Sequence, residues 1–385
     1  MSKKWVVLGV FCWFLQACTQ IDDFMLGKDN TPKPTELVSL KSKTKLDLNW
    51  SIPTGKSTKS DSFLKLKPAI HKAVVYTADA SGQVLAIDKN TSHVVWSVQL
   101  KEGLVSGPTV AEGVVALGTN ASSFVLLNQA DGRQLMRKNV SGEVLSKPII
   151  SNHRVIVKTI DGNLYAFDLK TGKKLWMSEH GAPHLILKAS SSPILLGKLV
   201  LVGFSDGKLD AVDVETGRVV WQRSIAYASG SSDVERLVDI DADPLARGDT
   251  VYLATYQGYV GALTLSNGQF LWSKPSSIYK NMAIDDENVY VSDNDDVLWA
   301  ISRQTGHVKW KQTALKARGI TAPALMGSRL VVGDKTGLLH VLSTQDGEFV
   351  SRQQLSGPIY FDPAISGRYI YVMTANGKLN RLTIG

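Results

Sequence analysis

Residues 148–176 read PIISNHRVIVKTIDGNLYAFDLKTGKKLW, and the reading of this stretch decides the fold. Pro148-Ile149-Ile150 and Arg154-Val155-Ile156-Val157-Lys158 are two runs of strand formers that meet at the turn residues Ser151-Asn152-His153. Asp161-Gly162 turns the chain again into Asn163-Leu164-Tyr165-Ala166-Phe167-Asp168, whose apolar residues alternate as a half-buried strand requires. Thr171-Gly172 then turns it into Lys173-Lys174-Leu175-Trp176. The unit is predicted to be a four-stranded meander. Proline cannot donate a ladder hydrogen bond, which places Pro148 at the first residue of a strand. The Asp-Gly and Thr-Gly pairs supply positive φ at tight turns.

In this unit the glycine follows the proline by fourteen residues, and the tryptophan follows the glycine by fourteen. The same frame holds without a slip in Pro68/Gly82/Trp96, Pro193/Gly207/Trp221 and Pro244/Gly258/Trp272. Degenerate copies are Pro108/Ser122/Met136, Met282/Asp296/Trp310 and Pro323/Gly337/Ser351; an eighth begins at Pro363 and Gly377 and ends with the chain at Gly385. A spare tryptophan, Trp50, lies in Leu46-Asp47-Leu48-Asn49-Trp50, well before the first proline. Repeats of about forty residues made of short strands point to an all-β, eight-bladed propeller of four-stranded antiparallel blades, the last blade closed by the N-terminal strand. Trp50, Trp96, Trp176, Trp221, Trp272 and Trp310 are expected to be blade-docking residues, each burying a large ring between neighbouring blades.

The repeats occupy residues 46–385, enough chain to close a ring around a large core. The only two cysteines, Cys12 and Cys18, precede them, so no disulfide framework or cysteine metal site is available to the ring. Lys3 and Lys4 followed by the apolar stretch Trp5 to Leu15 have the form of an export signal, predicted to span residues 1–17 and too short to cross a bilayer. Residues 18–45 are polar, contain Pro32 and Pro34, and are expected to be a flexible tether. The formal charge of +8 loses two units with Lys3 and Lys4. The remaining basic residues are scattered rather than gathered into a stripe, which argues against nucleic-acid binding.

If the repeats are scaffold, function lies where their spacing breaks. A tryptophan position is normally followed by the next proline within 10–13 residues, but Trp176 to Pro193 takes 17, Trp221 to Pro244 takes 23 and Trp50 to Pro68 takes 18. The first two of these long connections flank the fourth blade and are expected to form one raised patch. They read His184-Leu185-Ile186-Leu187-Lys188 and Glu235-Arg236-Leu237-Val238-Asp239-Ile240-Asp241-Ala242-Asp243. Exposed leucines rimmed by Lys188, Arg236, Asp239 and Asp241 have the composition of a protein-binding surface. The partner-binding residues expected from this reading are Leu185, Leu187, Lys188, Arg236, Asp239 and Asp241.

Other constellations carry less. Asp239, Asp241 and Asp243 alternate as in a calcium loop, but an EF-hand needs glycine where Pro244 stands and glutamate where Thr250 stands. Asp293-Asn294-Asp295-Asp296 occupies a blade turn, where such residues bond their own backbone. His180 and His184 are four apart with Gly181 and Pro183 between them, which removes the helix that would aim both at one metal. No nucleophile elbow or phosphate-binding glycine loop is present. No catalytic residue, metal or cofactor is expected.

The recurring pattern of Ala86 to Trp96, Ala166 to Trp176 and Ala211 to Trp221 resembles the repeat of the quinoprotein-type propellers. Among these, pyrroloquinoline quinone dehydrogenases imply a longer chain, a calcium site with a carboxylate cluster and, in many members, a vicinal disulfide, none of which this sequence matches. Leu15-Gln16-Ala17-Cys18 is similar to the bacterial lipobox, with Gln16 where a small or branched residue is usual; this resemblance implies lipid attachment at Cys18. Val331-Val332-Gly333-Asp334 with Gly337-x-Leu339-His340, and Glu235-Arg236-Leu237-x-Asp239-x-Asp241, resemble the BamB family of outer-membrane assembly lipoproteins over almost the whole chain. That resemblance implies a non-catalytic scaffold on the periplasmic face of the outer membrane. Its loop at Leu185-Ile186-Leu187-Lys188 and its Asp239 and Asp241 would face the periplasmic domains of the barrel subunit, BamA, and its strand edges would receive nascent outer-membrane proteins. Arginine is usual in that family where Lys188 stands. An exported dehydrogenase and a periplasmic binding propeller with another partner remain the alternatives at this point.

Overall fold

The computed structural model describes residues 32–59, 64–183, 185–186, 190–227, 231 and 237–385. Its two compact units are Met1–Pro34, which lies almost wholly outside the described residues, and Thr35–Gly385, which holds every strand. The strands form eight four-stranded antiparallel sheets, seven of them in sequence order as meanders. The third blade is made of Ile149–Ser151, Arg154–Lys158, Asn163–Asp168 and Lys174–Glu179, as the opening stretch predicts. The eighth comprises Ala364–Ser366, Tyr369–Thr374 and Lys378–Ile384, and its fourth, outermost strand is Leu46–Pro53, paired antiparallel from Leu46 opposite Ile384 to Pro53 opposite Lys378.

The core lies between blades. Leu201, Leu209 and Ala211 of the fourth blade share one apolar cluster with Val251, Leu253 and Leu263 of the fifth, and comparable clusters fill the other seams. The cluster around Tyr76, Leu117 and Tyr371 joins the eighth blade to the first and second and so closes the ring.

The recurring motif has a separate physical task at each position. Ala86, Ala166, Ala211, Ala262 and Ala300 lie directly opposite Trp96, Trp176, Trp221, Trp272 and Trp310, a small residue across from a large ring, with a bulge at each pair. Asp88, Asp168 and Asp213 accept bonds from the amides and hydroxyls of Thr91, Thr171 and Thr216 and so shape the outer turns. The glycine of each outer turn has positive φ and abuts the tryptophan of the preceding blade: a Cβ on Gly217 would stand 2.6 Å from the Trp176 ring. The indole Nε1 donates to the turn of the next blade, from Trp96 to the Gln129 carbonyl (3.0 Å), Trp176 to Val214 (2.9 Å), Trp221 to Leu265 (3.0 Å), Trp272 to Arg303 (2.7 Å) and Trp310 to Thr344 (2.9 Å). In the second blade Met136 takes the ring's place against Gly172.

The closing seam differs. The Nε1 of Trp50 is buried without a hydrogen-bond partner, and the carbonyls of Lys89 and Asn90 receive the guanidinium of Arg381, the residue opposite Trp50. Ser92, not glycine, holds the positive-φ position of that turn.

The expected flexible tether through residue 45 runs too far, since its last part, from Thr35, is fixed on the propeller. From Thr35 onward the chain lies on the sixth and seventh blades, because backbone groups there find fixed partners. The Thr35 amide donates to the Lys316 carbonyl (3.0 Å) and the Lys43 amide to Val350 (2.8 Å). Arg318 and Arg352 donate to the carbonyls of Thr35 (3.1 Å) and Val38 (3.3 Å), while Asp334 holds Arg318 at 2.8 Å and His340 at 3.1 Å.

Candidate functional site

Antiparallel order fixes which connections share a face. In every blade the turn between the second and third strands, and the connection from the outermost strand to the next blade, emerge on the same side of the ring. The long connections on either side of the fourth blade therefore share this face with the mouth of the central channel.

The first long connection starts from a latch. His180 places Nδ1 2.9 Å from an Asp210 oxygen and Nε2 3.1 Å from both oxygens of Asp206, and its ring stacks on Phe204 at 3.7 Å. Burial alone would push its pKa down, but the two carboxylates override it and raise the pKa to about 9, so the ring is an imidazolium at neutral pH. Burial also opposes ionisation of Asp206, yet bonds from His180 and Lys208 hold its pKa at about 2. Beyond the latch Leu185 is 47% exposed and Ile186 half-buried. On the far side of the fourth blade Tyr227 is 75% exposed. Leu187, Lys188 and Arg236 lie outside the described residues, as do His184 and Cys18.

The second connection departs from the expected exposed patch. Leu237, Val238, Asp239, Ile240 and Asp241 are all buried, so Asp239 and Asp241 do not rim an exposed surface and Leu237 is not an exposed leucine. The reason lies in the fourth blade, where glycines leave room for the incoming chain. A Cβ on Gly203 would stand 2.5 Å from Ile240 and one on Gly207 3.2 Å from Val238. The Ile240 amide donates to the Phe204 carbonyl (3.2 Å), and the Asp239 carbonyl receives the Tyr256 amide (3.0 Å). Asp241 therefore faces the channel. Burial first, and Asp239 second, raise its pKa to about 7, with Lys65 and Lys158 opposing. Lys158, itself buried, donates to the carbonyls of Gly203 and Ser191, and burial lowers its pKa to about 8.

A girdle that sequence reading missed lines the channel mouth. It consists of the residue just before each frame proline or its equivalent. The Lys147 amide donates to Ser192 Oγ (3.1 Å), the Ser192 amide to Asp243 (2.7 Å) and the Asp243 amide to Asn281 Oδ1 (2.9 Å). Asp362 then accepts from Asn281 Nδ2 (3.1 Å) and from the Ala322 amide (3.0 Å). These bonds stitch the third to eighth blades together at their inner ends. Lys67 and Gly107 hold the matching places in the first two blades. Lys65, whose backbone bonds to Val105 and Gly107, reaches across the mouth to pair with Asp243. The signal was present in the sequence as the position preceding the proline, but only closure of the ring brings those residues together.

The comparisons with known proteins agree over the whole propeller. The family described as outer membrane protein assembly factor BamB matches residues 47–135, 80–312 and 313–385. The chain is 58% identical to outer membrane protein assembly factor BamB of Legionella pneumophila (strain Paris), over 98% of this chain and 99% of that one. It is 30% identical to the protein of that name in Escherichia coli (strain K12), over 87% and 88%. The crystal structure of BamB from Moraxella catarrhalis superposes with a TM-score of 0.80 at 25% identity, covering 88% of this chain and all of that one. Quinohemoprotein alcohol dehydrogenase from Comamonas testosteroni shares the fold alone, with a TM-score of 0.72 at 13% identity over 91% of this chain and 78% of that one. A ring of eight blades closed by its N-terminal strand, matched in sequence from residue 47 to residue 385, places this chain in the BamB family of outer membrane protein assembly factors.

Proposed function

We propose that this chain is a non-catalytic, lipid-anchored scaffold in the assembly of outer-membrane β-barrel proteins, and that it docks on the periplasmic domains of the BamA barrel subunit. The family match across residues 47–385 carries the reading. The docking surface is the face bearing Leu185 and Tyr227, two exposed apolar side chains beside the fourth blade, with Leu187, Lys188 and Arg236 belonging to the same two connections. The His180 latch supports it by fixing where the Leu185 connection begins. Asp239 and Asp241 shape the wall behind this surface instead of touching the partner. Cys18 carries the lipid, which holds the ring at the periplasmic face of the outer membrane.

Nascent outer-membrane proteins are the second partner in this reading. The outermost strands present Val94, Val95, Val219, Val220 and Leu271 in the open, apolar side chains beside an unpaired strand edge of the kind that accepts an added strand. The docking surface is tested by Leu185→Asp in the full-length protein expressed in its native membrane. We expect loss of BamA from the copurified material with an unchanged circular dichroism spectrum and thermal midpoint. Retention of BamA at the wild-type level would remove Leu185 from the interface.

A further inference from the structure

At the centre of the connection face the girdle surrounds a cavity of about 450 Å³ lined by Lys65, Lys67, Lys147, Lys280 and Lys335 against Asp241 and Asp362. Three of the carboxylates around this cavity are already engaged. Asp243 takes Lys65 and the Ser192 amide, Asp296 takes Lys280 and the amides of Gly319 and Ile320, and Asp362 takes Asn281 and Ala322. Asp241 turns both its oxygens into the buried wall without a hydrogen-bond partner, and its environment favours the protonated form near neutral pH. Lys67, Lys147 and Lys335, in contrast, form no ion pair among the described residues. Burial disfavours the charge on Lys147, Asp243 and Asp362 favour it, and the nearby Lys67 and Lys65 disfavour it, leaving its pKa below the ordinary lysine value. Lys67, Lys147 and Lys335 thus outnumber the carboxylates that face them, since Asp243 is shared with Lys65 and Asp362 alone adds a further charge, beside the aromatic walls of Tyr279 and Tyr360.

We infer that the channel mouth is a binding site for a small ligand bearing an oxyanion, carboxylate or phosphate, with Lys147 and Lys67 as the primary contacts and Lys335 at the rim. Lysine suits this task as a compact charge with three donors, and the partly closed cavity strengthens the attraction relative to bulk water. The volume is that of a small-molecule site and excludes a folded domain.

The test is calorimetric titration and thermal unfolding of the purified full-length protein with succinate or inorganic phosphate, each against sodium chloride of equal ionic strength, and with ethylammonium chloride as a cation control. We expect saturable binding and a rise in thermal midpoint with at least one oxyanion, and none with ethylammonium. Succinate alone identifies a carboxylate ligand and phosphate alone a phosphoryl one. Lys147→Met and Lys67→Met should each weaken binding at least tenfold while remaining folded, and Lys335→Met should weaken it less. Should Lys147→Met not fold, Lys67→Met decides. No saturable binding of either oxyanion beyond the chloride control overturns the inference, as does binding unaltered in the lysine variants.

Discussion

His180 shows how a single side chain couples charge to the shape of the proposed docking surface. Its pKa in the folded chain, about 9, lies above the ordinary histidine value of 6.5, so the folded state holds its proton more tightly than the unfolded chain. The resulting stability is fully present below about pH 6.5 and is lost as the pH rises through 9. We expect wild-type stability to fall by about 1–3 kcal/mol across that window through His180, and the fall to be smaller in His180→Gln; denaturant titrations at pH 6 and pH 9.5 measure it. Asp241 acts in the same sense at lower pH. Its carboxyl is raised to about 7, so its contribution to stability is fully present below about pH 4 and is lost as the pH rises through 7. At this scale the sequence could be read only in part. Leu185 could be placed on a surface from spacing alone, whereas Asp239 and Asp241 looked like exposed charges. Nothing local to Leu237-Val238-Asp239-Ile240-Asp241 announces that Gly203 and Gly207, more than thirty residues away, leave a slot for it.

The blade seams explain why some copies of the repeat tolerate degeneracy. At five seams a tryptophan sits where the following blade offers a turn glycine and a carbonyl to receive its indole, while Met136 fills the same place against Gly172 by packing alone. The seventh blade, with Ser351, is followed by the eighth, in which the chain ends replace that turn. Trp310→Ala removes a ring packed between two blades and should cost about 3–5 kcal/mol by chemical denaturation. Phenylalanine makes a finer test. Trp176→Phe leaves the Val214 carbonyl without its donor and should cost about 1–2 kcal/mol, while Trp50→Phe should cost less, because the Trp50 Nε1 makes no bond to lose. Equal losses in the two variants would contradict the different wiring of the closing seam. The proline-glycine-tryptophan frame made the strands, the turns and the blade count legible, since each depends on residues close in sequence. The role of Arg381 at the closing seam and the girdle before the prolines were not legible, because both join residues that only a closed ring makes neighbours.

For the molecule as a whole, closure through Leu46–Pro53 makes the two ends of the propeller interdependent. Deleting residues up to Pro53 removes the outer strand of the eighth blade and Trp50 with it. We expect the single cooperative unfolding transition to broaden or split, whereas a chain beginning at Leu46 should keep one transition at a modestly lower midpoint; scanning calorimetry distinguishes the two. The girdle gives the ring a charge polarity that its repeat symmetry lacks, with lysines before the first and third blades and acceptors before the fourth, fifth, sixth and eighth. A small ligand at the mouth therefore meets a defined orientation. The Gly385 amide donates to the Lys45 carbonyl at 3.0 Å, so the last residue sits beside the start of the first strand. A short peptide joining them would make the backbone continuous, and new ends could be opened at Gly248, a positive-φ turn with open space around it. Such a circular permutant would turn the eighth blade into an uninterrupted meander and move the break in the ring to the fifth.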